Sequence, residues 1–581
     1  MADYLVLTWL RGFERDAAAA IASLERGGWT ETYRCSECRG FVRGCRPPAV
    51  KAFAGGLLIG AAFDRAATEA GRAAPFEPAQ LSGLSPPKAG AALTRKAWGG
   101  YVALFFQSGT APAVVRDPLG GLECVRWRRG PLHFVASTVP DEGALTPLEF
   151  AIDWRSVAAI LRDSSVASAL VALAGVDSVA PGTLSFPDRQ FRLWSPATVA
   201  RRPVRHRPAD LERRLDAVTR ALTLDRVAVT AEISGGLDSA IVALGLGATG
   251  APMVAALNQA TAEAEGDERL YAQAVADRIG APLDVMHRGV FSFDVAALAA
   301  AAAGPRPPYN AQDPAYDRFA SAWLTKVGAD ALFTGQRGDV VFFQMPEPVV
   351  AGDILLDVLR GRCNLQALAQ WAHRCRSSTW RIMAEAIGAI GGGEGAIPPP
   401  EFMGRLFPRH AVHPWLDDLG GLSPGKRYQI WTLTSVGGRV GPSLRGDVAD
   451  LVHPLLAQPI VEMCLETPLS SLAVGERDRP FARKAFAERL PAVLLQRRGK
   501  GDVTKLYSRS VAASLEVVAP LLLDGRLVQQ GVIDRETLAP LLDPEVMMWR
   551  NLAGPIMRAV YLEVWVRAWE ARLATRSAAA G

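Results

Sequence analysis

The spacing of apolar positions divides the chain in two. Over residues 1–200 they come in short runs punctuated by Gly and Pro, as in Tyr4–Leu10, Gly56–Ala61, Gly100–Phe106 and Leu132–Ala136. Such runs predict strands joined by tight turns, and Asp117-Pro118 followed by Gly120-Gly121 predicts a turn between two of them. From Ala209 the period changes. Leu211–Leu222 has helical spacing, Val227–Ile233 reads as a strand, and Ser239–Leu246 is apolar enough for a buried helix. Met253–Leu257 predicts a second strand, Asp267–Ile279 a helix stopped by Gly280, and Ala331–Thr334 a third strand entering a glycine-containing loop. Strands and helices in alternation imply a parallel sheet covered by helices. The remainder to Ala574 reads as mostly helical, interrupted by the glycines of 391–395 and the prolines of 398–400. Residues 201–208, with four arginines and two prolines, read as a linker in preference to a nucleic-acid or membrane patch. The expected organisation is two units, 1–200 and 209–581, joined by 201–208.

Composition narrows the class. With 581 residues, 49% hydrophobic and 21% charged, the chain can bury sizeable cores. A net charge of +5 is small for this length and argues against a nucleic-acid partner. No uncharged apolar run of about 18 residues is present to span a membrane. The opening Met1-Ala2-Asp3-Tyr4 has no basic region ahead of an apolar one, and seven cysteines suit a reducing compartment, so a cytoplasmic location is expected. Only eight of the 64 basic residues are lysine, which makes each lysine more informative than usual.

The most informative stretch is Val227–Ala240, VAVTAEISGGLDSA. A strand runs into Ser234-Gly235-Gly236-Leu237-Asp238-Ser239, which turns into a helix. Glycines let successive backbone N–H groups converge on an anion, the helix N-terminus adds its dipole, and the serines add hydroxyl donors. An aspartate in such a loop calls for a divalent cation between carboxylate and phosphate, so Asp238 points to Mg²⁺. The glycine spacing fits neither the Walker A loop nor the dinucleotide fingerprint. It resembles the ATP-pyrophosphatase loop.

The chain then resembles the asparagine synthetase family nearly end to end. Leu257 to Ala272, with Gly266-Asp267-Glu268, resembles the second strand and helix of the synthetase domain. Thr334-Gly335-Gln336-Arg337-Gly338-Asp339 resembles the loop that carries the second Mg²⁺-binding aspartate. Val452–Leu456 resembles a further family segment, and Leu490-Pro491 with Arg497–Lys500 resembles the segment presenting the catalytic lysine. Arg116–Gly120 and Phe134–Ser137 look like landmarks of the family's glutaminase-like domain. The resemblance implies an α/β protein. Its N-terminal unit is an Ntn-type αββα glutaminase-like domain, and its C-terminal unit a parallel-sheet ATP-pyrophosphatase synthetase domain.

Departures from the family pattern narrow the function. An active glutaminase needs a cysteine directly after the initiator methionine, and Ala2 stands there, so the nucleophile is expected to be lacking. Gln336 replaces the loop's glutamate, and Leu451-Val452 replaces a region that includes an arginine in asparagine synthetases, which demotes asparagine as the product. Among relatives without a glutaminase, the chain looks most like the lasso peptide cyclases. Trp98–Val102, His453–Pro459 and Arg477–Pro480 leading to Arg498–Asp502 carry that likeness. The reaction so implied is AMP-forming. An internal Asp or Glu side chain of a leader-free precursor peptide is adenylated and joined to the peptide's N-terminal amine as a macrolactam. A leader peptidase and a leader-recognition protein are the implied partners. A β-lactam-synthetase-like ligase acting on a small molecule is the alternative. That family deprotonates its amine with a Tyr–Glu pair, which Gln336 at the tyrosine's place does not support. A nucleotide-dependent binding subunit without catalysis is the alternative of another class.

The implied cofactors are ATP and Mg²⁺, with Asp238 and Asp339 as metal ligands. Ser234, Gly235, Gly236, Leu237, Asp238, Ser239, Leu257, Gly335, Arg483 and Arg498 are the candidate nucleotide contacts. Lys500, Asp450 and Gln336 are the candidate catalytic set: Lys500 for the charged transition states, Asp450 as a partner in deprotonating the amine. Asp450 reads equally as a surface carboxylate. Cys35-Ser36-Glu37-Cys38 with Cys45 has spacing that invites zinc, but no fourth ligand follows closely, so scaffold is the favoured reading.

Overall fold

The computed structural model describes residues 3–107, 109–261, 267–392, 399–406, 408, 411–435, 441–497, 504–550 and 552–580. Its N-terminal part holds two six-stranded antiparallel sheets. The first runs in the order Val176–Ser178, Val125–Arg129, Leu132–Ala136, Asp3–Trp9, Cys38–Arg43, Thr30–Cys35. The second runs Gln190–Arg192, Thr183–Ser185, Ala113–Arg116, Ala97–Phe105, Gly56–Asp64, Val50–Phe53. Alternation along a strand decides what each face meets. In Asp3–Trp9, Tyr4 and Val6 point between the sheets to meet Leu57, Ile59, Val102 and Leu104. Leu5, Leu7 and Trp9 point outward onto helices Glu14–Arg26 and Trp154–Arg162. The outer face of the second sheet, with Leu58, Tyr101 and Phe105, is covered by helix Pro86–Lys96. The result is the four-layer αββα arrangement that was expected.

The second part is built on a five-stranded parallel sheet. Its order is Leu283–Arg288, Met253–Thr261, Val229–Glu232, Ala331–Phe333, Asp450–Val452. The two outermost strands are additions to the three expected. Leu283–Arg288 is polar and only one of its six residues is fully buried, while Asp450–Val452 is three residues long, so neither leaves a clear apolar run. Helix Leu237–Gly247 is buried from Leu237 to Leu246, which explains its apolar sequence without a polar face. From Val229–Glu232 the chain builds outward to one side, then crosses back to Ala331–Phe333 on the other. The C-terminal ends of these two neighbours therefore form a topological switch point, where a crevice opens.

The two parts share a core. Trp565 and Trp569 of helix Ala553–Ala580 are buried with Leu5, Val157 and Ile160, and both indole N–H groups donate to Gly304 O at 3.1 and 3.0 Å. Arg306 bridges the halves, reaching Glu123 at 2.5 Å and Leu170 O at 2.8 Å. Burial alone would raise the Glu123 carboxyl, but Arg306 and Arg116 outweigh it and bring it down to about 2. The arginine-rich segment between the parts is fastened at three points. Val204 N donates to Glu466 O at 2.9 Å, Arg201 pairs with Asp418 at 2.8 Å, and His206 Nε2 lies 2.8 Å from Glu466. Among the described residues no helix is long and apolar enough to cross a membrane.

Candidate active site

The loop after Val229–Glu232 is closed by its own side chains. Ser239 Oγ accepts from Ser234 N at 3.1 Å, lies 3.0 Å from Ser234 Oγ and donates to Gly236 O at 3.2 Å. Gly235 has a left-handed φ of +80°, and a Cβ there would stand 2.7 Å from Glu268 Cβ, so both conformation and space demand glycine. The loop after Ala331–Phe333 packs directly on this one. A Cβ on Gly335 would fall 2.3 Å from Ser239 N, and one on Gly338 would fall 2.4 Å from Asp238 Cγ. Two glycines three apart thus let the second loop close on the backbone at Ser239 and on the Asp238 side chain, and set Asp339, in the first turn of Gly338–Val341, beside the first loop. Both loops face one cavity of about 810 Å³ at the switch point.

Charge in the cavity is arranged in two groups. At the loops, Asp238 and Asp339 line the wall, and Arg479 Nη1 reaches Asp238 Oδ2 at 2.5 Å. Asp478 joins Arg479 to Arg483, at 2.5 and 2.8 Å. Away from the loops, Glu232 accepts from Tyr316 Oη at 3.1 Å and from Gln259 Nε2 at 2.5 Å. Arg288 donates to Gln259 Oε1 at 2.9 Å and pairs with Asp313. Burial first, and then the Glu232 charge, hold the Tyr316 phenol well above its ordinary range, so it stays a donor. Thr334 Oγ1 lies 2.7 Å from His453 Nδ1, and burial, with Arg445 and Arg337 nearby, lowers that imidazole to about 4.

Of the residues singled out from sequence, the structure brings Ser234, Gly236, Asp238, Ser239, Gly335, Gln336 and Asp339 to this cavity. Gly235 shapes the loop from behind, and Leu237 anchors it in the core. Three others are placed elsewhere. Leu257 is buried against Trp323 and Leu324, its carbonyl accepts from Ile233 N at 2.8 Å, and it is not among the residues that line the cavity. Asp450 starts its strand, at the opposite end of the strands from the cavity, and pairs with Arg226 at 2.5 Å. The expectation that it helps deprotonate an amine in the cavity is corrected by that position. Arg483, a candidate nucleotide contact, is engaged by Asp478 and is not among the residues that line the cavity; Arg479 is the arginine next to Asp238. Lys500, Arg498 and Ala2 lie outside the described residues. The residues that flank 498–503 are at the site: Arg497 Nη1 donates to Gly235 O at 2.6 Å, and Tyr507 lines the cavity.

Sequence reasoning missed Arg479, Glu232 and Tyr316. Glu232 had left a trace, a carboxylate ending an otherwise apolar central strand. Reasoning from Gln336 did not anticipate that Tyr316 and Glu232, from other elements, form a hydrogen-bonded Tyr–Glu pair at the cavity. For Mg²⁺, the donors present fit: two hard carboxylates beside an anion loop leave the remaining positions to phosphate oxygens and water. Among the described residues no group of three His, Cys, Asp or Glu is placed to hold a metal.

A serine-glycine anion loop and paired aspartates at the switch point of a parallel sheet define a nucleotide-dependent α/β synthetase. The family model for asparagine synthase matches residues 210–381 and 449–567, half of the chain. The chain belongs to the asparagine synthase family and is, by that membership, an ATP-dependent amide-forming ligase. No curated protein matches. Among solved structures, glutamine phosphoribosylpyrophosphate (PRPP) amidotransferase from B. subtilis, complexed with ADP and GMP, is 12% identical over 50% of this chain and 82% of that one. Its TM-score is 0.19, and at that level nothing about this chain follows from it.

Proposed function

We propose that this ligase is a lasso-type peptide cyclase. It adenylates an internal Asp or Glu side chain of a leader-free precursor peptide and closes a macrolactam on the peptide's N-terminal amine, releasing AMP and pyrophosphate. The observation that carries the reading is the pairing, in one cavity, of the anion loop with its two aspartates and the Glu232–Tyr316 pair. Activation of a carboxylate and deprotonation of an amine need those two kinds of group within one site.

Backbone N–H groups of Ser234–Ser239 and the two serine hydroxyls hold the pyrophosphate end of ATP as the peptide carboxylate oxygen attacks the α-phosphorus and the α–β bridging oxygen leaves. Asp238 and Asp339 would hold Mg²⁺, which supplies charge neutralisation at the phosphates when bound. Arg479, beside Asp238, would add positive charge at the pyrophosphate end. Lys500 and Arg498 are proposed to balance charge in both half-reactions, and Gln336 to orient the acyl group. Glu232 takes the proton from the attacking amine while Tyr316 and Gln259 fix its carboxylate. A leader peptidase and a leader-recognition protein are the proposed partners.

The test is mass spectrometry of leader-free core peptides incubated with the protein, ATP and Mg²⁺. Loss of one water, dependent on ATP and absent in Asp238→Ala, supports the reading. AMP and pyrophosphate without dehydrated peptide contradict it and direct attention to a small-molecule acceptor. The Tyr316–Glu232 pair would serve a second reading equally, a β-lactam-synthetase-like ligase. Dehydration of a small β-amino acid in the same assay would select it. Nucleotide binding with neither product would leave a binding subunit.

A further inference from the structure

The hairpin formed by Thr30–Cys35 and Cys38–Arg43 lies at the edge of the first antiparallel sheet and takes no part in the cavity. Cys35 and Cys38 are direct cross-strand partners that close its two-residue turn, Ser36-Glu37. Residues opposite each other in an antiparallel ladder stand about 4.5–5.5 Å apart at Cα, inside the ~4.4–6.8 Å that a disulfide spans. Their environments differ. Cys35 is partly exposed, whereas Cys38 is buried. The neighbouring Cys38 thiol is the main reason the Cys35 thiol is lowered to about 6; the Glu37 N–H, the Tyr33 hydroxyl and Arg39 act in the same direction against burial. Arg39 is held in place, with Nη1 donating to Cys38 O at 2.8 Å and also to Cys35 O. An accessible thiolate backed by a buried thiol is the arrangement of an attacking and a resolving cysteine. A metal clip is the poorer reading, because among the described residues no third ligand joins the pair.

We propose that Cys35 and Cys38 form a thiol–disulfide exchange site whose substrates are low-molecular-weight disulfides. The Cys35 thiolate attacks one sulfur of the small disulfide, forming a mixed disulfide and expelling one thiolate. Cys38, giving up its proton, then attacks the Cys35 sulfur and expels the second. The protein dithiol is oxidised to a disulfide, and the small disulfide is reduced to two thiols. Formed across an edge hairpin, the bond locks the turn at the end of the first sheet.

The full-length protein is equilibrated with mixtures of oxidised and reduced glutathione, acid-quenched, alkylated and analysed by peptide mass spectrometry. The expected result is loss of two hydrogens in the peptide carrying Cys35 and Cys38, reversed by dithiothreitol, with exposed Cys45 still alkylated. Cys38→Ser should stop at a glutathione adduct on Cys35, and Cys35→Ser should give neither product. Without oxidant, alkylation of Cys35 should level off above about pH 7, where an ordinary thiol with a pKa of about 8.5 is still gaining reactivity. If Cys35 and Cys38 remain fully alkylated at every glutathione ratio, or if the adduct in Cys38→Ser falls on Cys45, the proposal is overturned.

Discussion

Arg479 extends its guanidinium to within 2.5 Å of the Asp238 carboxylate, and both side chains are buried. The arginine itself sits at a left-handed φ of 52°, immediately before Pro480. The loop aspartate that suits a cation therefore already has a protein cation on one of its two oxygens. Removing one member of a buried ion pair costs about 3–5 kcal/mol because the other charge stays behind. Arg479→Met and Asp238→Asn should each destabilise by that order in urea unfolding, and the double variant by much less than their sum. Additive losses would deny the coupling.

The two glycines under Asp238 give a steric prediction. Gly335→Ala and Gly338→Ala place a methyl 2.3 Å from Ser239 N and 2.4 Å from Asp238 Cγ, so the anion loop must shift. A displacement near 1 Å at a positioned group can cost about 100-fold in rate. Turnover should fall by about that factor in each variant, with circular dichroism unchanged. A variant at wild-type rate would show that the two loops need not touch.

Tyr316 and Glu232 should separate the half-reactions. Glu232→Gln is expected to slow amide formation by about 10²- to 10⁴-fold, the usual worth of a positioned acid–base group. Peptide-dependent ATP–pyrophosphate exchange should persist. Tyr316→Phe should have a smaller effect in the same direction. Equal losses in exchange and in amide formation would instead place the pair in nucleotide binding.

His453 predicts a pH dependence of stability. Burial brings its imidazole to about 4, below the ~6.5 of an unfolded chain. Between those values the unfolded chain binds more protons, so stability is complete above about pH 6.5 and is lost as pH falls toward 4. The loss attributable to His453 is on the order of 3 kcal/mol. Urea midpoints taken from pH 7 to pH 4 should fall more steeply for the wild type than for His453→Gln; parallel curves would contradict the assignment.

The legibility of this site in the sequence follows the contiguity of its parts. Ser234–Ser239 carries strand end, turn glycines and helix start in one stretch, so its fold and its affinity for anions could be read together. Arg479 and Asp238 are 241 positions apart, and Tyr316 and Glu232 are 84 apart; no local pattern joins them. Asp450 was misjudged for a different reason. Its three-residue strand leaves no pattern in the sequence, and only the parallel register shows that Asp450 begins it, while Thr334 and His453 follow the ends of theirs and reach the cavity side. The αββα unit was legible as strands and turns because its core alternates cleanly. Its joining to the C-terminal helices through Trp565 and Trp569 depends on packing that no period reveals.

The most direct test of the account follows oxygen. A core peptide whose Asp or Glu side chain carries ¹⁸O is incubated with the protein, ATP and Mg²⁺, and the nucleotide products are analysed by mass spectrometry. Attack of the carboxylate on the α-phosphorus, followed by amide formation, predicts one ¹⁸O in AMP, unlabelled pyrophosphate, and a dehydrated peptide. Label in inorganic phosphate with ADP as the nucleotide product would contradict it, because the carboxylate would then have attacked the γ-phosphorus and the anion loop would be holding a different end of ATP.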